Sequence, residues 1–280
     1  MTAGRIAYQG MPGAYSHMAC RELFPDREAL PCHSFEDAFA AVRDGEAEFA
    51  MIPVDNTVAG RVADVHHLLP RGGLHIVGEH FLRVRHCLLA VRGATLDSIR
   101  TVESHVHAIG QCRQFLRRRG YASKVVADTA GAAAEVAAAK DPTRAAIASK
   151  LAAELHDLQI LATDLEDAEH NTTRFLVLAS DARWPGPDQG PCLTTFAFRV
   201  RNRPAALYKA LGGFATNGVN MVKLESYIDG AFTQAEFLAD IVGHPQHEPV
   251  RLAMEELRFF SRSVEILGVY PASPARELVG

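Results

Sequence analysis

The residues best suited to chemistry fall in four short segments. Asn171-Thr-Thr-Arg-Phe175 sets a hydroxyl beside a guanidinium. Such a pair suits an oxygen leaving group next to a carboxylate, because arginine presents a planar fork of donors. The plain alternative is a strand start with a surface arginine. Pro53-Val-Asp-Asn-Thr57, followed by Gly60, gives three consecutive hydrogen-bonding side chains after a buried apolar run. Asp and Asn also favour ordinary turns. Glu103-Ser-His-Val-His107, with Gln111 and Cys112, stands at a similar strand-to-helix junction, where Ser104 can cap the helix or hold a ligand. Gly10-Met-Pro-Gly-Ala-Tyr-Ser16 joins a strand to a helix whose first amides, with Ser16, can receive an anion. It is equally an ordinary βα turn, and it lacks both nucleotide-binding glycine patterns.

Other chemistries find little support. His105 and His107 alternate, and neither they nor His66-His67 has a third ligand at a metal-binding spacing, so no metal is expected. The five cysteines, at 20, 32, 87, 112 and 192, are odd in number and widely spaced. They read as reduced core residues of a cytoplasmic protein rather than as a disulfide framework. Arg113 and Arg117–Arg119 complement the end of a helix. A net charge of −4, from 29 basic and 33 acidic residues, argues against a nucleic-acid partner. Nothing approaches the roughly 18 apolar residues of a membrane span, and the N-terminus lacks a signal-peptide core.

These segments must be held by a scaffold. At roughly 150 residues per domain, 280 residues make about two domains. Over the first 180, strands are expected at Arg5–Gln9, Glu48–Pro53, Leu74–Leu82, Cys87–Val91, Thr101–Ser104, Lys124–Ala127, Ala145–Ala148 and Arg174–Ala179. Helices are expected over Ala14–Leu23, after an N-cap at Ser34, from Ser104 through Arg119, over Thr129–Ala139 and over Lys150–Leu155. Repeated β-then-α units imply mostly parallel sheet covered by helices, with ligands beyond the carboxyl ends of the strands. Asp181–Pro191 holds three prolines and two glycines and reads as a linker. Beyond it come a strand at Leu193–Val200, a helix from Pro204 to Asn217-Gly218, and strands Met221–Ile228 and Phe232–Val242 around an Asp229-Gly230 turn. A helix at Pro249–Phe260 and a strand at Val264–Val269 complete the β-α-β-β-α-β order of a ferredoxin-like sandwich.

In their order these segments resemble prephenate dehydratase followed by an ACT regulatory domain, from about Arg5 to Tyr270. The family's opening Gly-x-x-Gly-(Ser/Ala)-Tyr-(Ser/Thr) segment appears as Gly10–Ser16. Its Pro-(Ile/Val)-Glu-Asn-Ser box reads Pro53–Thr57, with Asp55 for Glu and Thr57 for Ser. Its Ser-His-x-x-Ala-x-x-Gln-Cys segment reads Ser104, His105, Ala108, Gln111 and Cys112. Asp128–Ala133 matches the next box, and the Thr-Arg-Phe signature lies at Thr173–Phe175.

The resemblance implies an α/β, two-lobed catalytic domain like the type II periplasmic binding proteins over 1–180, a linker at 181–191, an ACT domain at 192–273 and a tail at 274–280. It implies decarboxylative loss of water from prephenate to give phenylpyruvate, without a cofactor. Thr173, Arg174, Asp55 and Asn56 form the implied catalytic set. Ser16, Thr57, Ser104, Gln111, Thr129 and Phe175 would contact the substrate. Phenylalanine, the implied effector of a homodimer or homotetramer, would meet Ala206, Leu207, Asn217, Val219, Asn220, Leu224, Glu225 and Ser226. Here the family's Pro-Gly-Ala-Leu reads Pro204–Leu207 with Ala205 for Gly, and Glu-Ser-Arg-Pro reads Glu225–Ile228 with Tyr227 and Ile228 replacing Arg-Pro. An arogenate or dual-specificity dehydratase, and a non-catalytic amino-acid sensor, remain as alternatives. A related decarboxylase that keeps the hydroxyl is disfavoured by Thr-Arg-Phe.

Overall fold

The computed structural model describes residues 4–228 and 235–276. In chain order the elements begin with β1 (Arg5–Gln9), α1 (Tyr15–Leu23), β2 (Glu28–Cys32), α2 (Phe35–Arg43), β3 (Phe49–Asn56), β4 (Gly60–Arg61), α3 (Ala63–Leu68) and β5 (His75–Arg83). Next come β6 (Cys87–Ala90), β7 (Thr101–Ser104), α4 (Val106–Gln111), α5 (Arg113–Arg119), β8 (Ala122–Val125), α6 (Thr129–Ala139), β9 (Arg144–Ala148), α7 (Lys150–Leu155), β10 (Gln159–Ala162) and β11 (Thr172–Ala179). The last are β12 (Cys192–Val200), α8 (Ala206–Thr216), β13 (Met221–Ile228), β14 (Ala235–Val242), α9 (Glu248–Phe260) and β15 (Ser261–Pro271). Tertiary contacts divide the described chain into one unit of residues 4–63 and 80–175, and another of 64–79 and 176–276.

The first unit is α/β and holds two sheets. In one, β1 runs parallel to both β2 and β3, and β11 follows β3 on the other side. The second has the order β10-β6-β9-β7-β8, parallel at β7–β8 and β7–β9 and antiparallel at β6–β9 and β10–β6. Its two faces bury separate apolar clusters, one around Leu88, Val102, Leu116 and Ile147, the other around Leu89, Val136, Ala146 and Ala152. The alanine-rich α6 presents mostly methyl groups, which lets it lie close to this sheet. Ser34 caps α2 with a reciprocal capping box to Asp37.

Three features of this unit differ from the sequence expectation. β2 and β10 were not anticipated. Both are edge strands of partial burial, and β2 carries Pro31, which only an edge tolerates. The helix expected from Ser104 through Arg119 is broken at Cys112. There the Asp167 N–H donates to the Gln111 carbonyl (2.6 Å), and the Asp167 carboxylate accepts from Gln114 N–H (3.2 Å). A residue from outside the helix thus satisfies both new ends. Finally, Asp55 and Asn56 complete β3, and the Asn56 side chain then accepts from Val58 and Ala59 N–H in the turn that leads to β4.

In the second unit β12-α8-β13-β14-α9-β15 forms an antiparallel sheet of order β13-β14-β12-β15, the ferredoxin-like arrangement. The apolar faces of α8 and α9 pack on it through Phe196, Phe198, Phe214, Met254 and Leu257. α8 starts at Ala206 rather than Pro204, because Ala205 takes a left-handed conformation (φ 59°). Residues 180–191 form neither helix nor strand. The Asp229-Gly230 turn, the first residues of the Phe232–Val242 strand and the end of the 274–280 tail lie outside the described residues. No described helix is long and apolar enough to cross a membrane.

Candidate active site

β3 and β11 carry two of the candidate segments to the same end of their sheet. Thr57 ties that end together. Its N–H donates to the Thr172 carbonyl (3.0 Å), its hydroxyl donates to the His170 carbonyl, and Thr172 N–H donates back to Oγ1 (2.9 Å). The Thr57 hydroxyl is therefore committed to the strand pair.

Strand side chains alternate between faces. Asn56 and Thr173 share one face, and Asp55 and Arg174 share the other. Asn56 Nδ2 donates to Thr173 Oγ1 (2.9 Å) and to Asn171 Oδ1 (2.8 Å). Val58 and Ala59 N–H groups donate to Asn56 Oδ1 at 2.9 and 2.7 Å. On the opposite face the Arg174 guanidinium lies 3.6 Å from the Asp55 carboxylate.

The hydrogen bonds continue across this unit. Asn171 Nδ2 donates to Gln111 Oε1 (2.9 Å), which also lies 2.8 Å from His86 Nε2. His86 Nδ1 lies 2.8 Å from the Tyr15 hydroxyl, which is also 3.0 Å from the Arg85 carbonyl. Burial holds the Tyr15 phenol protonated well above its ordinary range, and nearby Cys87, Cys112 and Glu166 add to this. Burial also lowers the His86 pKa, against the opposing pull of Gln111 and Glu166, so the ring is neutral at neutral pH.

Tyr15 also lines a cavity of about 610 Å³, with Ser16, His105, Asp128 and Thr129. Ser16 and Thr129 stand in the first turns of α1 and α6. The α1 loop is held by Ser149, whose hydroxyl donates to the Gly13 carbonyl (2.5 Å). Gly13 itself has φ 95°, and a Cβ there would meet Ala152, so both backbone and packing favour glycine.

Two expected residues lie elsewhere. Ser104 is fully buried and donates to the Ile147 carbonyl (2.6 Å), within the second sheet. Phe175 is a core side chain. Free thiols are no competing nucleophiles: burial pushes Cys87 up to about 11 and Cys20 up to about 12. Tyr15, His86 and Asn171 were not assigned from the sequence. Asn171 and Tyr15 sit inside the quoted segments, whereas His86 has no local signal beyond a polar residue before an apolar strand.

A family model described as prephenate dehydratase matches residues 6–183. The chain belongs to the prephenate dehydratase family. It is 52% identical to a bifunctional N-acyl-homoserine lactone acylase/prephenate dehydratase of Komagataeibacter europaeus, over 97% of each chain. It is 37% identical to the chloroplastic arogenate dehydratase/prephenate dehydratase 2 of Arabidopsis thaliana, over 95% of this chain and 72% of that one. Among solved structures it resembles prephenate dehydratase of Arthrobacter aurescens in complex with L-Phe, with TM-score 0.88 and 28% identity over 96% of this chain and 90% of that one. The family's Thr-Arg-Phe and Pro-(Ile/Val)-Glu-Asn-Ser boxes are thus the two strand ends that meet at Thr173 and Asn56.

In the second unit the candidate effector residues form two groups. Ala206 and Leu207 line a cavity of about 290 Å³ with Arg201 and Arg203. Asn217, Val219, Asn220, Leu224, Glu225 and Ser226 lie at the far end of α8 and on β13. Glu225 is already contacted there by the Tyr227 hydroxyl, by Lys223 (3.5 Å) and by His66 Nδ1 (3.3 Å).

Proposed function

We propose that this chain converts prephenate to phenylpyruvate, water and carbon dioxide. The observation that carries the reading is the hydrogen bond from Asn56 Nδ2 to Thr173 Oγ1. Because Oγ1 accepts there, its own proton is available to another acceptor. In the reaction the ring carboxylate leaves as CO2 and its bonding electrons enter the ring. The ring C–O bond breaks, and the departing hydroxide takes the Thr173 proton to become water. Solvent returns that proton, so one proton is consumed per turnover. Asn56 stabilises the charge that develops on Oγ1, a preorganised donor in a half-dry site. Aromatisation drives the step, and the protein's main task is orientation.

The substrate carries two carboxylates. The cavity beside Tyr15 suits them, since the first turns of α1 and α6, with Ser16 and Thr129, present N–H and O–H donors. The catalytic region is assigned to 1–180 and an ACT-type module to 192–273. That module binds phenylalanine and assembles the chain into a dimer or tetramer. Kinetics on prephenate and arogenate side by side, with and without phenylalanine, test both parts. No turnover of either substrate would overturn the catalytic reading, and no heat of binding with phenylalanine in calorimetry would overturn the regulatory one.

A second activity, hydrolysis of N-acyl-homoserine lactones, rests on the 52% identical relative that carries both names. Release of homoserine lactone from a long-chain substrate tests it. Comparing Thr173→Val with the parent shows whether the two activities share a site.

A further inference from the structure

We infer that His86 is a positioning residue for this elimination: with an Nε2–H donor it holds Gln111, and through it Asn171, in the amide series that ends at the hydrogen bond from Asn56 to Thr173. The kinetic part of this inference rests on the prephenate reading above.

Two atoms with a single possible role anchor the hydrogen-bond directions. Backbone N–H groups only donate, so the Asn56 atom facing Val58 and Ala59 is its oxygen. Its amide nitrogen must then face Asn171, whose facing atom must be the acceptor Oδ1. That leaves Asn171 Nδ2 facing Gln111, whose facing atom must be Oε1. The same oxygen faces His86 Nε2, which must therefore carry a proton. A neutral ring then has a bare Nδ1, and the single Tyr15 proton goes to it (2.8 Å) rather than to the Arg85 carbonyl (3.0 Å). Reversing any amide in this series would set two donors or two acceptors against each other. The orientations of all three amides, and with them the tautomer, thus follow from the two backbone amides at the far end.

His86 is well held for such a role. It is 2% exposed, and its main-chain N–H donates to Glu166 Oε2 (2.9 Å). Tyr15 meets its ring edge-on at a centroid distance of 5.5 Å. Close by, Val84 N–H donates to the Asn171 carbonyl (2.8 Å), so the main chain two residues before His86 is tied to that of Asn171. Tyr15 connects this series to the cavity, because the residue whose hydroxyl fixes His86 also lines the space beside Ser16.

The experiment uses the full chain labelled with ¹⁵N-histidine, with His86→Asn to assign the His86 signal. Long-range ¹H–¹⁵N correlations near pH 7.5 are expected to show a protonated Nε2 and a bare Nδ1. A protonated Nδ1 with a bare Nε2, or a doubly protonated ring, would overturn the inference. Tyr15→Phe keeps the ring and removes the donor. It is expected to let the His86 tautomer become mixed and to lower kcat about tenfold, within the range that small misplacements of catalytic groups produce, with KM within threefold. A loss confined to KM, or an unchanged kcat, would overturn it too. A parent protein that turns over neither substrate would defeat the prephenate reading, while the tautomer measurement would still decide the hydrogen-bond series.

Discussion

Asn56 Nδ2 stands 2.9 Å from Thr173 Oγ1, and the oxygen of the same amide is tied to the Val58 and Ala59 N–H groups. This makes Thr173 Oγ1 an acceptor toward Asn56 and, in the proposed reaction, leaves its proton for the leaving group. Asn56→Asp keeps the shape and the two backbone bonds but replaces the donor with a carboxylate oxygen. The Thr173 hydroxyl would then donate to that carboxylate instead of to the leaving group. An expected kcat loss of about 10²-fold or more, the scale of a lost proton donor, is checked by steady-state kinetics on prephenate.

Arg174 gives a contrasting case. It is 7% exposed and paired with Asp55 on the face opposite Thr173. Arg174→Lys keeps the charge but loses the fork. The expected outcome is lower stability, by about 1–3 kcal/mol given the half-exposed partner, with kcat of the folded protein within threefold. Urea denaturation and kinetics on the same sample separate this from a substrate-clamping role, in which kcat/KM falls and stability does not.

Much of this arrangement was legible in the sequence. The β1–α1 junction, the Ser34 cap, the strand at 101–104 and the βαββαβ order all follow from periodicity and capping residues. The strand at Thr173 was legible too, but the side on which each residue points was not. Arg174 and Thr173 read as adjacent partners in sequence, whereas a strand's period of two sends them to opposite faces. Asp55 and Asn56 looked like turn formers because their type favours turns; their main chains pair with β4, while the Asn56 side chain does cap the turn that follows. His86 was invisible because its partners, Tyr15 and Gln111, lie 71 and 25 residues away.

Glu103 predicts a pH dependence of stability. Burial pushes its carboxyl up, but hydrogen bonds and charge from Arg144 (2.6 Å) and Lys124 (3.0 Å) together outweigh this and leave its pKa below the usual value. A carboxyl lowered in the folded state adds stability above its unfolded pKa, about 4.3. That contribution is lost as pH falls through the folded value. Glu103→Gln is expected to cost about 1–2 kcal/mol at pH 7 and much less near pH 3, as read by urea denaturation at both pH values.

Ala205 sits at φ 59°, ψ 14° just before α8. A left-handed conformation costs an L-residue roughly 1–2 kcal/mol, part of which glycine returns as unfolded-chain entropy. Ala205→Gly is expected to raise stability by about 0.5–1 kcal/mol, and thermal unfolding of the full chain measures it.

If the Thr173 hydroxyl delivers the proton to the departing hydroxide, Thr173→Val removes the proton donor itself. Valine keeps the β-branched shape and the strand preference of threonine while removing the hydroxyl. With prephenate as substrate, kcat is expected to fall by about 10²-fold or more, with an unchanged unfolding midpoint. Turnover within threefold of the parent protein would mean that the proton reaches the leaving hydroxide from another group.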